Sequence, residues 1–208
     1  MDMDETIKSL DDFRKLVAAN PGGVVLLEGK RAIPPEWAAR AKATGAFLAK
    51  TFPKLRFRSG NALGADEAFS QGVASVDATR LHIIAPYRAH RKSQRIAGAI
   101  YDAPDAYTPA QEAEIIRKTI AASPHRESFF SIRHTSAGIG ANYLIRDTMK
   151  VVGHSEKFPP AMCGLFYVNP ATPLSGGTGH TIRACINERI PALSQAVWGD
   201  WATRAGGA

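Results

Sequence analysis

The chain has 208 residues, 45% of them hydrophobic and 22% charged, which is typical of one globular domain. Its longest apolar runs fall far short of the roughly 20 residues that a membrane-spanning helix needs, so we predict no contact with a membrane. The net charge of +7 favours an anionic partner, but it does not choose between nucleotides and nucleic acid.

The N-terminus and the cysteines indicate a cytoplasmic protein. Residues Met1–Glu5 are acidic, whereas a secretory signal would begin with basic and then apolar residues. Cys163 and Cys185 lie far apart without a C-x-x-C partner, which predicts neither a disulfide framework nor a zinc site. No close cluster of metal-ligating residues is visible in the sequence, so we predict no metal site.

The first third of the chain has the pattern of a β-α-β unit. Leu10, Phe13 and Val17 recur at helical spacing, and the run Val24–Gly29 is apolar, as in a strand buried on both faces. A helix opened by Pro34 and Pro35 should run to about Thr51. A second strand, Leu55–Arg58, follows it.

The rest of the chain continues the alternation. The predicted elements are a helix from Ala65 to about Val76, a strand at Leu81–Ala85, helices at Pro109–Ala121 and Ala137–Lys150, a fourth strand at Gly164–Val168, a helix from Thr178 or Gly179 to about Glu188, and a final extended segment at Ile190–Leu193. The residues between the third and fourth strands are too many for one crossover, so we predict an insertion at 87–136. We expect residues 198–208 to form a C-terminal tail.

These elements define an α/β fold class. Parallel neighbours need helical crossovers, so the order predicts a doubly wound, mainly parallel, Rossmann-like sheet. Helices should cover both faces, with the long insertion between strands three and four. Residues 1–208 then form a single domain.

The first candidate site is the glycine loop Ser59–Asp66, where a strand turns into a helix. Gly60 and Gly64 permit a sharp turn that exposes backbone N–H groups and the helix dipole to an anion. Ser59 and Asn61 could add hydrogen bonds. Asp66 either caps the helix or reaches a ribose hydroxyl.

The second loop repeats this arrangement after the fourth strand. Ser175, Gly176, Gly177, Thr178, Gly179, His180 and Thr181 follow one another there, and the Thr178 and Thr181 hydroxyls are predicted phosphate contacts. Both loops should lie at the carboxyl ends of parallel strands and line one crevice. Neither loop fits G-x-x-x-x-G-K-[ST] or G-x-G-x-x-G, which argues against ATP hydrolysis and nicotinamide chemistry as the function.

Taken in order, these motifs resemble a known superfamily. Glu28-Gly29-Lys30-Arg31, Ser59-Gly60-x-x-x-Gly64-Ala65-Asp66 and Ser175–Ile182 followed by Ile190-Pro191 are similar to the SLOG superfamily, which unites DNA-processing protein A with the Lonely Guy proteins. The resemblance covers roughly residues 24–193, except for 88–136. It implies a Rossmann-like fold that binds nucleotides, nucleotide-derived signals or single-stranded DNA at these loops.

The resemblance also implies roles for two arginines. Lonely Guy enzymes remove ribose 5′-phosphate from cytokinin nucleotides with an arginine on the helix before the last glycine loop, which Arg146 resembles, and a glutamate just after that loop. Arg183 stands at the position of this glutamate. Ser175 stands at the position of the proline that opens the glycine-loop motif of the family. A cation in place of that carboxylate should abolish the reaction and preserve anion binding.

Further candidates border the same loops. Arg146 and Arg183 either bind phosphate or form surface salt bridges, and Lys30 and Arg31 could close the crevice after Gly29. His180 should have a lowered pKa at a helix N-terminus, where it contacts the ligand or only packs. The candidate catalytic residues are Asp66, Arg146 and His180.

Three functions follow from these observations. The first is binding or sensing of a phosphate-bearing nucleotide or nucleotide-derived small molecule, without catalysis. The second is hydrolysis of a nucleotide or N-glycosidic bond, with Asp66 or Glu67 replacing the missing glutamate. The third is single-stranded DNA binding by the basic segment Arg80–Arg95, with Tyr87 as a stacking aromatic. We also expect a homo-oligomer, for which Trp198 and Trp201 offer a contact unless they pack on the core.

Overall fold

Six parallel strands form one sheet in the computed structural model, which describes residues 6–104, 108–131, 135 and 139–205. Parts of the predicted insertion and the first two residues of the predicted helix at 137–150 therefore lie outside the described residues. The strands are β1 (Val24–Gly29), β2 (Arg56–Gly60), β3 (Leu81–Ile84), β4 (Ile100–Asp102), β5 (Cys163–Tyr167) and β6 (Ala192–Ser194).

The strand order is β4-β3-β2-β1-β5-β6, and every pairing is parallel. The chain first builds outward from β1 in one direction and then returns to add β5 on the other side. This confirms the predicted doubly wound fold. It also places the reversal of strand order between β1 and β5, where open α/β sheets bind ligands.

Strand β4 was missed by the sequence analysis. It is only three residues long and lies at the sheet edge, where Ile100 is 40% exposed. So short and partly exposed a strand lacks the apolar run that marks the central strands. The segment predicted as an insertion therefore contributes a strand to the sheet.

Helices cover both faces of the sheet. They are α1 (Leu10–Ala19), α2 (Pro35–Thr51), α3 (Ala65–Asp77), α4 (Pro109–Ala122), α5 (Ser128–Ser131), α6 (Ile139–Val152), α7 (Gly176–Asn187), α8 (Gln195–Trp198) and α9 (Trp201–Ala205). One core joins α1, α2 and α3 to side chains such as Val25 and Leu27, and a second joins α6 and α7 to Leu26 and Phe166. No helix that the structure describes has the length and apolarity needed to cross a bilayer.

Local signals explain where several helices begin. Pro35 occupies the first turn of α2, and Thr108 forms a capping box with Gln111 at the start of α4. Helix α7 begins at Gly176, earlier than predicted, and its N-cap Ser175 makes no side-chain capping hydrogen bond. The first turn of α7 therefore has backbone N–H groups that Ser175 does not satisfy.

The C-terminal segment packs onto the core. Trp198 is fully buried and Trp201 is 2% exposed, and the Trp198 indole donates a hydrogen bond of 3.1 Å to the Phe166 carbonyl. The proposal that these two tryptophans form an exposed oligomer contact is therefore wrong. A frayed tail is also wrong for residues 198–205, because α8 and α9 occupy most of that range. Residues 206–208 lie outside the described part of the chain.

Strand alternation gives one sheet face an unusual polarity. Val25 and Leu27 point to the α2 and α3 side, so Leu26 and Glu28 point to the α6 side. The register aligns Leu26 with Arg58 and Arg58 with His82. The polar side chains of Arg58 and His82 therefore lie in one row with Leu26 on this face. Among the polar side chains on this face, those of Glu28, Arg58 and His82 are buried.

Candidate functional site

Two adjoining cavities lie at the carboxyl ends of β1 and β5. The carboxyl cavity, of about 480 Å³, is lined by Glu28, Gly29, Lys30, Arg31, Ala32, Ala62, Asp66, Arg146, Asp147, Ser175, Gly176, Gly177 and Thr178. The cationic cavity, of about 360 Å³, is lined by Arg31, Ser123, His125, Arg126, Gly140, Tyr143, Leu144, Arg146, Asp147, Leu174, Gly176, Gly177, His180 and Arg183. They share Arg31, Arg146, Asp147, Gly176 and Gly177, so together they form one crevice.

The crevice brings the two predicted glycine loops together. Ala62 and Asp66 of the first loop face Ser175–Thr178 of the second across the carboxyl cavity. The parallel sheet causes this, because the carboxyl ends of β1, β2 and β5 lie at one edge. Residues of both glycine loops therefore border one crevice, as the sequence analysis predicted.

The floor of the crevice contains a buried contact between a carboxyl group and an ammonium group. Glu28 is the penultimate residue of β1, and its Oε2 lies 2.5 Å from the Lys150 ammonium of α6. The Thr181 hydroxyl of α7 donates a hydrogen bond of 2.9 Å to Glu28 Oε1. Three elements are thereby joined at one carboxyl group, and both oxygens of that group have partners.

Two more carboxyl groups flank this pair. Asp66, at the start of α3, accepts a hydrogen bond of 3.0 Å from the Gly29 backbone N–H. Asp147 Oδ1 lies 2.9 Å from both Lys150 Nζ and Arg146 Nη2. The floor therefore assembles three carboxyl groups and two cations, all at least nine-tenths buried.

The floor has three carboxyl groups but only two cations, and burial contributes to the pKa shift of each carboxyl group. Burial raises the pKa of Glu28 to about 8, against the opposing effect of Lys150. Burial likewise raises the pKa of Asp66. For Asp147, Arg146 and Lys150 together outweigh burial and lower the pKa. Burial therefore disfavours the ionised forms of Glu28 and Asp66, whereas the two cations favour the ionised form of Asp147.

Arg146 has spare hydrogen-bonding capacity. Its side chain lines both cavities and is 7% exposed, yet among the described residues its Nε and Nη1 groups have no hydrogen-bond partner. Nearby, the exposed residues Gly176 and Gly177 form the first turn of α7, which Ser175 does not cap. Unpaired donors of this kind are costly unless a ligand or water satisfies them.

The glycines of the two loops are required by close approaches. A Cβ on Gly60 would lie 2.5 Å from Asp66 Oδ2 and 2.7 Å from Arg146 Nη1. Gly64 has a φ of 85°, and a Cβ there would collide with the Arg31 carbonyl. Gly60 therefore makes room for the crevice floor, and Gly64 lets the first loop pack against the segment after β1.

Two predicted polar contacts of the first loop are directed elsewhere. The Ser59 hydroxyl is buried and donates a hydrogen bond of 2.6 Å to the Leu27 carbonyl. The Asn61 amide donates to the His90 carbonyl at 2.9 Å. Neither residue lines the two cavities of the crevice, so in this structure both stabilise the loop.

The residues of the second loop have different surroundings. Thr178 lines the carboxyl cavity, whereas Thr181 is fully buried and engaged by Glu28. Gly179 is buried where a Cβ would collide with the Leu174 backbone. Thr178 is therefore the threonine of this loop that reaches the crevice.

His180 lines the cationic cavity but has little freedom to react. Its Nδ1 lies 2.7 Å from the Ser123 hydroxyl, and its Nε2 lies 3.0 Å from that of Thr148. Burial lowers its pKa to about 4, so the ring is neutral at physiological pH. With both ring nitrogens hydrogen-bonded to the protein, His180 is positioned to order the wall of the crevice.

Arg183 holds two segments of that wall together. Its guanidinium donates hydrogen bonds of 2.6 Å to the Ala122 carbonyl, 2.7 Å to the Leu174 carbonyl and 2.9 Å to the Ser123 hydroxyl. All three acceptors are neutral. The charge of Arg183 is therefore not neutralised by these contacts, and burial lowers its pKa.

The basic segment Arg80–Arg95 is largely committed to the fold. Arg80 donates to the Ala49, Phe52 and Leu55 carbonyls, and Arg91 lies 2.9 Å from Glu67. Arg95 stacks on Tyr101 at 4.5 Å from the ring centroid. Tyr87, the proposed stacking aromatic, is 37% exposed.

Several residues of the crevice were not singled out from the sequence. Glu28 was named as part of an apolar strand and of the resemblance motif but given no role, and Asp147 and Lys150 were treated as ordinary residues of a helix. The i, i+3 and i, i+4 spacing of Arg146, Asp147 and Lys150 on α6 could have indicated a shared helix face. His125 and Arg126 belong to a 3₁₀ turn at Pro124–Arg126, and no local pattern links them to the crevice.

A second polar cluster forms away from the crevice. Ligand-type atoms of His82, Asp102 and His154 lie within 4.8 Å of one another, although the residues are distant in sequence. Arg58 Nε donates a hydrogen bond of 3.3 Å to His82 Nδ1, which leaves the His82 proton on Nε2, 2.9 Å from Asp102. This tautomer fits a hydrogen-bonded pair better than a metal ligand.

Comparison with known proteins does not assign the chain to a family. No family model matches the chain, and no curated protein matches it significantly. A solved structure of DNA processing protein A from Helicobacter pylori, described for its single-stranded DNA binding mode, is similar at 12% identity and a TM-score of 0.48. The match covers 93% of this chain and 75% of that one.

The raised pKa of Glu28 predicts how stability depends on pH. Its value of about 8 in the folded protein exceeds the ordinary value of 4.5, so folding favours the protonated form. That contribution is complete below the unfolded pKa and is lost as pH rises through 8. The lowered pKa values of His82, His90 and His180 make stability rise with pH, but only below about pH 6.5, the ordinary pKa of histidine. We therefore expect the free energy of unfolding to fall between about pH 6.5 and about pH 8.5.

Urea unfolding at several pH values measures this slope, which is at most about 1.4 kcal/mol per pH unit for one group. Glu28→Gln, which cannot ionise, should flatten it. The exposed Glu36→Gln on α2 is the matched control and should retain it. Wild-type stability that rises over this range would contradict the assignment.

Proposed function

We propose that the crevice binds a phosphate-bearing nucleotide or nucleotide-derived small molecule. The observation that carries this proposal is Arg146, a buried arginine with two unpartnered donor groups beside the uncapped first turn of α7. An anion there would satisfy donors that the described residues leave unpaired. The helix dipole would add to the attraction.

The position of the crevice supports the same conclusion. It lies at the reversal of strand order between β1 and β5, and each of its two cavities exceeds about 300 Å³, the lower end of the usual range for ligand sites. The carboxyl cavity supplies acceptors, with Asp66 at its wall. In this proposal the phosphate lies at Gly176, Gly177 and Thr178, and ribose hydroxyls face Asp66.

The resemblance to the SLOG superfamily agrees with this ligand class. Arg146 lies on the helix that precedes the second glycine loop, where the resemblance expects a functional arginine. Arg183, in place of the Lonely Guy glutamate, hydrogen-bonds to neutral groups of the crevice wall. Binding or sensing without catalysis is therefore the function that we favour.

A thermal-shift screen tests the proposal with nucleoside 5′-monophosphates, ADP-ribose and a single-stranded oligonucleotide. We expect one nucleotide class to stabilise the protein by about 2.7 kcal/mol at about a hundred times its Kd. Arg31→Gln, at an exposed residue of the shared wall, should weaken binding about tenfold through loss of one charged contact.

Arg14→Gln makes the same change of charge on α1, outside the crevice, and should leave the affinity unchanged. Absence of a shift with every phosphate compound would overturn the proposal. A steeply salt-dependent shift with the oligonucleotide alone would instead favour single-stranded DNA binding.

Hydrolysis of an N-glycosidic bond is a second candidate, because an acid and a base lie together in the floor. In this candidate Asp66, whose pKa is raised by burial, is the general acid, and Asp147, whose pKa is lowered by Arg146 and Lys150 against the effect of burial, is the general base. Water would attack C1′ and give a proton to a carboxylate. The C1′–N bond would break with its electron pair going to the leaving nucleobase, and the nucleobase would take a proton from Asp66.

Release of free base from nucleoside monophosphates, followed by chromatography, distinguishes this candidate from binding alone. Hydrolysis predicts turnover that Asp66→Asn reduces by about a hundredfold or more, the usual range for a general acid or base. Glu67→Gln should retain it, because Glu67 pairs with Arg91 away from the crevice. Nucleotide binding without release of base would exclude the hydrolase.

A further inference from the structure

Aromatic side chains gather at one side of the cationic cavity. Tyr143 of α6 lines this cavity together with Leu144 and Leu174. The ring of His90 lies nearly perpendicular to the rings of Tyr87 and Tyr143, at centroid distances of 5.3 Å and 5.9 Å. These three rings, Tyr87, His90 and Tyr143, form an aromatic wall that reaches the crevice through Tyr143.

The two rings of this wall that lie nearest to Arg146 are uncharged at neutral pH. Burial raises the pKa of Tyr143, and a hydrogen bond with the Tyr87 hydroxyl raises it further. Burial lowers the pKa of His90, and neighbouring arginines that include Arg146 lower it further. The wall therefore offers flat, neutral aromatic surface beside the cations of the crevice.

The first glycine loop holds the aromatic wall in place. The Asn61 amide donates a hydrogen bond of 2.9 Å to the His90 carbonyl, and Arg91 donates one of 3.2 Å to the Asn61 carbonyl. Arg91 also lies 2.9 Å from Glu67 of α3. Asn61 lines neither cavity of the crevice, but these contacts make it a positioning residue for His90 and its neighbours.

Three parts of the crevice meet at Arg146. Its guanidinium carbon lies 5.7 Å from the centroid of the Tyr143 ring. Asp66 Oδ2 and Arg146 Nη1 are neighbours, since they lie 2.5 Å and 2.7 Å from the position that a Cβ on Gly60 would occupy. Arg146 and Gly177 of the first turn of α7 line both cavities. An anion at that turn, hydroxyl groups at Asp66 and an aromatic ring at Tyr143 would therefore surround one side chain.

We propose that the aromatic wall is a base-binding subsite, in which the nucleobase of the ligand packs against the Tyr143 ring in a stacked or edge-to-face arrangement. This inference rests on the proposed function and narrows its ligand class to compounds that carry a base, as opposed to sugar phosphates. Tyr143 precedes Arg146 by three residues, about 4.5 Å along α6. That spacing suits a nucleotide, because only the ribose separates its phosphate from its base.

Isothermal titration with ribose 5-phosphate and with the common nucleoside 5′-monophosphates tests this inference, because these ligands differ only in the base. In the wild type, at least one nucleotide should bind at least about tenfold more tightly than ribose 5-phosphate, since packing of a base on an aromatic ring contributes a factor of this size. Tyr143→Leu removes the ring from a half-buried position and retains a good helix former. We expect it to reduce the preference to about threefold or less while the affinity for ribose 5-phosphate stays within about twofold.

Two further variants separate the ring from other effects of the change. Tyr143→Phe keeps the ring and loses only the hydrogen bond with Tyr87, so it should retain the preference for the nucleotide. Tyr101→Leu removes a half-buried tyrosine ring from β4, outside both cavities, and should also retain it.

Four results would contradict the base-binding subsite. Equal affinity of the wild type for ribose 5-phosphate and every nucleotide would overturn the subsite and leave phosphate binding standing. Equal loss of both kinds of ligand in Tyr143→Leu, or the same loss of preference in Tyr101→Leu, would assign Tyr143 a structural role only. If neither ribose 5-phosphate nor any nucleotide bound to the wild type, the proposed function would fail together with the subsite.

Discussion

The buried contact between the Glu28 carboxyl group and the Lys150 ammonium is the constraint on which the crevice depends. It joins β1 to α6 at 2.5 Å in a buried setting, where loss of one partner leaves the other without its hydrogen bond. Thr181 adds a hydrogen bond from α7 to the same carboxyl group. Since Arg146 lies one helical turn before Lys150, fixing Lys150 also fixes Arg146 at the crevice.

Helix α6 has two roles in the crevice. Toward the sheet, Lys150 and Asp147 hold the floor together through contacts with Glu28 and Arg146. Arg146 also lines both cavities, and its Nε and Nη1 groups have no hydrogen-bond partner among the described residues. A ligand with an anion at one end and hydroxyl groups at the other would match the cationic cavity and the carboxyl cavity in turn. The charge distribution therefore favours one orientation of the proposed ligand.

Much of the fold was predictable because its signals are local. The apolar run of β1 and the proline-opened α2 indicated the parallel sheet and its crossovers, and the turn at Gly64 indicated a loop at a strand end. β4 was not predictable, because three residues at a sheet edge have no distinctive pattern. The burial of Trp198 and Trp201 depends on tertiary packing, which composition at a chain terminus does not reveal.

The site was predicted only in part for a similar reason. Glycine loops are read from neighbouring residues, and both loops border the crevice. Glu28, Lys150 and Arg126 come from distant positions, and only the completed sheet and the α4 turn bring them together. Ser59 and Asn61 had the right chemistry and the right loop, but their side chains point into the fold because the Leu27 and His90 carbonyls accept their hydrogen bonds.

A crystal structure of the protein grown with thiophosphate, whose sulfur identifies the anion by anomalous scattering, tests the central claim most directly. The account predicts a tetrahedral anion about 2.7–3.2 Å from the backbone N–H groups of Gly177 and Thr178 and from the Arg146 guanidinium. Anions bound only at surface lysines and arginines, with water in the crevice, would contradict it.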